Sequence, residues 1–171
     1  MSGYLALAVT VGVLAVLDTW LYIGPLGTTI LAGLIWVSFI AWGCHFHSGG
    51  KITGCRHTLV CMIFGSLVGM AAVMLAGQLP LGAMAVPIAV GIGASVICLA
   101  SALPFLSVIP ASVYGFAAIA GLIVAGKVTP QAAIVPTLIS IVIGAMFGIV
   151  SDYLAGALAK KDTPATAGAA A

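Results

Sequence analysis

Charge is almost missing from this chain. Five Lys and Arg and three Asp and Glu make up 5% of 171 residues, against about 25% in a soluble domain. With 63% of residues hydrophobic and gathered in runs long enough to cross a hydrocarbon core of about 30 Å, a soluble fold is excluded. Carboxylate pairs, a nucleophile elbow, a phosphate loop and a zincin motif are lacking too, so an enzyme is not expected. No basic patch offers itself to nucleic acid, and the net charge of +2 reads as a topology signal. A basic n-region is absent from Met1-Ser2-Gly3-Tyr4, so the first apolar run is expected to stay in the mature protein. The four cysteines, Cys44, Cys55, Cys61 and Cys98, are not spaced as a disulfide framework and read as small apolar side chains.

What is present is a series of apolar runs separated by Gly and Pro. The lengths predict an all-α membrane domain over residues 1–158, with six transmembrane helices near 3–23, 27–47, 58–78, 82–103, 106–126 and 132–157. Gly24-Pro25, Ser48-Gly49-Gly50-Lys51, Gly77-Gln78-Leu79-Pro80, Leu103-Pro104 and the stretch from Gly126 to Pro130 punctuate them. Pro104 and Pro110 lie so close together that a broken segment there is an alternative. Residues 159–171 are polar and low in complexity, which predicts a disordered cytoplasmic tail. Six crossings put Lys51, Arg56, Lys160 and Lys161 on one side and Lys127 on the other. The positive-inside rule then places both termini in the cytoplasm.

A weak self-similarity links the halves. A shift of 79 residues sets Thr58 on Thr137, Gly65 on Gly144 and Gly69 on Gly148, while a shift of 72 sets Trp42-Gly43 on Tyr114-Gly115, with a seven-residue insertion between. The first run shows no convincing match to the fourth. Two three-helix repeats would lie upside down to each other, an architecture recurrent in transporters, with the solute path near the repeat interface.

Gly65, Gly69, Gly144 and Gly148 form small-xxx-small pairs suited to close helix packing. Trp42 and Tyr114, as equivalent aromatics beside Gly43 and Gly115, are the candidates to line a solute path, with Ser112 and Thr137 offering hydroxyls. His45, His47 and His57, read as a solvated cytoplasmic cluster with Cys44 and Cys55, are candidates for pH sensing; the spacing matches no metal site, and no cofactor is expected. Asp18 and Asp152, the only acids in or near the runs, are expected to reach headgroups or water.

The run Ala41-Trp42-Gly43-Cys44 leading to Gly49-Gly50, followed by Phe105-Leu106-Ser107-Val108-Ile109-Pro110-Ala111-Ser112-Val113-Tyr114-Gly115, resembles the YcdZ-like family of small bacterial inner-membrane proteins, a domain of unknown function. The resemblance extends to about Leu158 and implies a bacterial inner-membrane location, with no assigned substrate or catalytic residue. His45 and His47 depart from the family's pattern. Two functions follow: a small-solute channel or facilitator, of unknown solute and open to homo-oligomerisation, or a non-transporting accessory or assembly subunit whose work is helix contact in the bilayer.

Overall fold

The computed structural model describes residues 1–159, and the expected tail from Lys160 onward lies outside them. The described residues fold into six α-helices: α1 (Gly3–Ile23), α2 (Ile35–His47), α3 (Lys51–Ala76), α4 (Ala85–Ala100), α5 (Ile109–Gly126) and α6 (Pro130–Leu158). Five spans, formed by α1, α3, α5, α6 and by α4 together with the 3-10 turn before it (Gly82–Ala100), are long and apolar enough to cross a membrane, which makes this a multi-pass membrane protein.

Local chemistry sets most of the helix ends. Ser2 caps α1 by accepting the Leu5 N–H, and Thr129 caps α6 in the same way from Ala132, just ahead of Pro130. Both caps satisfy amide donors that a helix start leaves free. The proline-rich connection at 101–108 holds only a 3-10 turn, Pro104–Leu106, before Pro110 opens α5.

Two expected boundaries are corrected. The second run does not form a helix over 27–47, because Gly24, Pro25, Gly27 and Gly33, the last at φ +74°, break it into consecutive i→i+3 turns until Ile35. Thirteen residues of helix span about 20 Å, less than a hydrocarbon core. The third helix begins at Lys51 instead of 58, so Cys55, Arg56 and His57 lie in its first turns and the loop shrinks to Ser48–Gly50. The cap responsible comes from far away: Asp152 of α6 accepts the Lys51 N–H.

The helices pack as two interlocked trios. α6 lies against α2 and α1, α3 lies against α5 and α4, and α3 and α6 meet along the seam between them. A Cβ on Gly144 would fall on the Ser38 carbonyl, and one on Gly148 would strike the His45 ring. In the other trio, Gly65 faces the Ser112 carbonyl and Gly69 faces Phe116 and Ile119. These contacts make α2 run parallel to α6 and α3 parallel to α5. All four glycines are thus used in packing within the chain.

Burial recurs in register between the trios. Ala6, Thr10, Leu14 and Asp18 form the buried stripe of α1, and Ala85, Ala89, Gly93 and Ile97 that of α4. Thr58, Met62, Gly65, Gly69 and Ala72 of α3 correspond likewise to Thr137, Ile141, Gly144, Gly148 and Ser151 of α6. In α2 the buried set Val37, Ser38, Ala41, Cys44 and His45 corresponds to Ala111, Ser112, Gly115, Ala118 and Ile119 of α5. The offset there is 74, so Trp42 answers to Phe116, and the expected pairing of Trp42 with Tyr114 is corrected. The extra residues are the last turn of α5, which outruns α2 by five residues.

Candidate functional site

The expected path residues are not brought together. Trp42 is buried between the rings of Phe39 and Phe147, with centroids 5.7 and 5.4 Å away. Tyr114 meets His47 edge-on at 5.9 Å and lines a cavity of about 500 Å³ with Ile40, Gly43, Cys44, His47 and Ala117, a set without Trp42. The Thr137 hydroxyl donates to Ala133 O of its own helix, a common arrangement for a hydroxyl within a helix. Ser112 is buried where α5 crosses α3, its carbonyl against Gly65.

The histidines are also dispersed. His45 is fully buried, which overturns its reading as part of a solvated helix end. Its Nε2 lies 2.7 Å from Asp152 Oδ2, and since a carboxylate only accepts, that nitrogen carries the hydrogen. Asp152 therefore ties together α2, the start of α3 and the end of α6. Gly50 completes the turn at φ +65°, where a Cβ would meet the same carboxylate oxygen at 2.9 Å. His47 is exposed beside Tyr114 and His57 is half-buried on α3.

The residue least expected inside the protein is Asp18, which is 0% exposed. Ser38 of α2 donates to its Oδ2 at 2.9 Å, while Oδ1 has no partner among the described residues. Tyr22, one helical turn on and 2% exposed, brings its hydroxyl into the neighbourhood of Ser38, Ser140 of α6 and Asp18. The Tyr22 and Ser140 hydroxyls likewise lack a partner among the described residues. Leu31 and Leu34, in and just after the turns, are buried in the same apolar core as Tyr22. The burial of Asp18 corrects the expectation that it reaches headgroups or water, an expectation that follows from running one helix through 27–47. The available signal was that Asp18 continues the i, i+4 stripe of Ala6, Thr10 and Leu14.

Two polar clusters thus lie along the α1–α2–α6 trio. One is formed by Asp18, Tyr22, Ser38 and Ser140 where α2 begins, and the other by His45 and Asp152 where it ends. The corresponding buried positions of the α3–α4–α5 trio hold Ile97 in place of Asp18 and Ile119 in place of His45. Close packing is common to both trios, while at these equivalent buried positions the ionisable side chains Asp18 and His45 occur in only one.

The model of a family described as "Protein of unknown function (DUF1097)" matches residues 8–156. The chain belongs to this family. No curated protein and no solved structure matches the chain significantly. The family match spans all six helices and both polar clusters, and it brings no assigned reaction or ligand.

Proposed function

We propose that this protein of the DUF1097 family is a small-solute facilitator of the bacterial inner membrane, with both termini cytoplasmic and its polar site in the α1–α2–α6 trio. The observation that carries the reading is the fully buried Asp18, which Ser38 bonds on one oxygen and whose other oxygen has no partner among the described residues. An ionisable group within a membrane span costs several kcal/mol, about 2.5 to 3.5 even on insertion scales, so its retention calls for a role that a packing helix does not need. The register of buried residues supports two inverted three-helix repeats that exchange their third helices, and the polar site then lies on one side of their seam. No enzymatic activity is part of this reading.

An accessory or assembly subunit is the alternative. Its support was the abundance of small-residue faces, and those centred on Gly65, Gly69, Gly144 and Gly148 are already filled within the chain. The two readings separate in liposomes. Purified protein should raise the flux of at least one solute in a panel of small neutral, cationic and anionic compounds, and Asp18→Asn should reduce it. Flux equal to that of empty vesicles for the whole panel would favour the subunit.

A further inference from the structure

We propose that Asp18, Ser38, Tyr22 and Ser140 form a binding site for a desolvated monovalent alkali cation of the sodium class. The inference deepens the facilitator reading by naming an ion for its polar site, and it rests on that reading only for its use in transport. The donor set is all oxygen: two carboxylate oxygens of Asp18 and the hydroxyls of Ser38, Tyr22 and Ser140. Hard oxygen donors select alkali and alkaline-earth cations over softer metals, and no His or Cys stands in the cluster.

Charge chooses between the remaining classes. One carboxylate neutralises one positive charge, whereas a divalent ion would leave an uncompensated charge in a buried site. No basic residue faces Asp18 from the helices packed on it. α1 and the described part of α6 hold no Lys, Arg or His, and the α2 histidines His45 and His47 lie at that helix's far end. The orphaned oxygens on Asp18, Tyr22 and Ser140 belong to side chains at most 2% exposed. A cation satisfies all three at once, since each oxygen can give it a lone pair. A buried water is the neutral alternative, and it would leave Tm and sodium binding unchanged in the test below.

Three helices supply the donors: α1 gives Asp18 and Tyr22, α2 gives Ser38 and α6 gives Ser140. A bound cation would therefore tie the trio together at the end opposite the His45–Asp152 contact. Any separation of α2 from α6 there would break the site. Ion binding and helix arrangement are coupled by this geometry in the way that ion-coupled transporters require.

The test uses the full chain, purified in detergent and unfolded by heat in sodium, potassium or choline chloride at equal ionic strength. Sodium should raise Tm saturably above choline, in line with ligand binding to the folded state, and binding of radioactive sodium should saturate at one ion per chain. Asp18→Asn should abolish both signals. Ser140→Ala and Tyr22→Phe each remove one donor and should weaken apparent sodium affinity by roughly tenfold, which keeps the test decisive if Asp18→Asn does not fold. Identical Tm in all three salts, or sodium binding unchanged in Ser140→Ala and Tyr22→Phe, would overturn the cation site. Solute flux persisting in sodium-free liposomes under that outcome would leave the facilitator reading intact. Sodium binding without flux of any solute would remove the facilitator and keep the ion site.

Discussion

At the scale of single residues, backbone contact decides which positions tolerate change. Gly144 has no room for a Cβ because the Ser38 carbonyl occupies its place, while Gly12 of α1 has nothing within 4 Å. Gly144→Ala should therefore push α2 off α6 and lower stability by about 1 to 3 kcal/mol. Gly12→Ala should shift it by no more than about 1 kcal/mol, in the stabilising direction. Unfolding in mixed detergent and SDS micelles measures both, and equal losses would contradict the packing described. His45 and Asp152 permit a sharper test because each is the other's polar partner. Removing Asp152 strands the buried His45 Nε2, whereas removing His45 leaves Asp152 with the Lys51 N–H, so a cycle of His45→Ala, Asp152→Ala and the double variant should return a coupling of about 0.5 to 3 kcal/mol. A coupling near zero would mean that Asp152 serves only as the cap of α3. The small-xxx-small glycines could be recognised in the sequence because their spacing alone brings them to one helix face. The partner of His45 could not, since it lies 107 residues away.

At the scale of elements, the sequence marks where apolar runs stop better than where helices start. Gly77 and Gly126 close α3 and α5 as the punctuation indicates, whereas the starts of α2 and α3 moved by seven or eight residues. In α3 the reason is a long-range cap, and in α2 it is a local one: Thr29 bonds Leu26 O with its hydroxyl and accepts the Leu31 N–H, locking a turn into an otherwise apolar run. Those turns carry isolated i→i+3 bonds without a continuous ladder. The amides of Gly27, Thr29 and Ala32 should consequently exchange with deuterium at least roughly tenfold faster than those within α2, as small opening units do. Hydrogen exchange in detergent micelles read by mass spectrometry checks this. Equal protection across 24–47 would mean that the run is one continuous helix.

At the scale of the whole molecule, the question is how many times the chain changes sides when one helix is short. α2 alone is shorter than a hydrocarbon core, yet its ends are fixed by contacts. Ser38 near its start bonds Asp18, in the last third of α1, and His45 near its end bonds Asp152 near the end of α6. Leu154 and Leu158 of α6 in turn lie beside Val9 and Thr10, in the first half of α1. The turns and α2 together therefore return the chain to the end where α1 began. This outcome agrees with the hydropathy count even though the second run is not the helix that count assumed. The self-similarity in the sequence is confined to part of the chain for a related reason: α3 and α6 share residue types at matching buried places, whereas α1 and α4 share burial but not chemistry, with Asp18 against Ile97. The shared side carries Lys51 and Arg56 and the opposite side Lys127, and the topology we propose makes the shared side cytoplasmic by the positive-inside rule. In a background lacking the four native cysteines, Lys127→Cys should react with a membrane-impermeant maleimide in intact cells, and Ser2→Cys and Lys51→Cys should react only after the membrane is opened. If positions 2 and 51 labelled from opposite sides, α2 would have to dip into the bilayer and leave by the face it entered. Asp18 and His45 would then both lie toward that one face, and a path along α2 linking the two sides of the membrane would be lost.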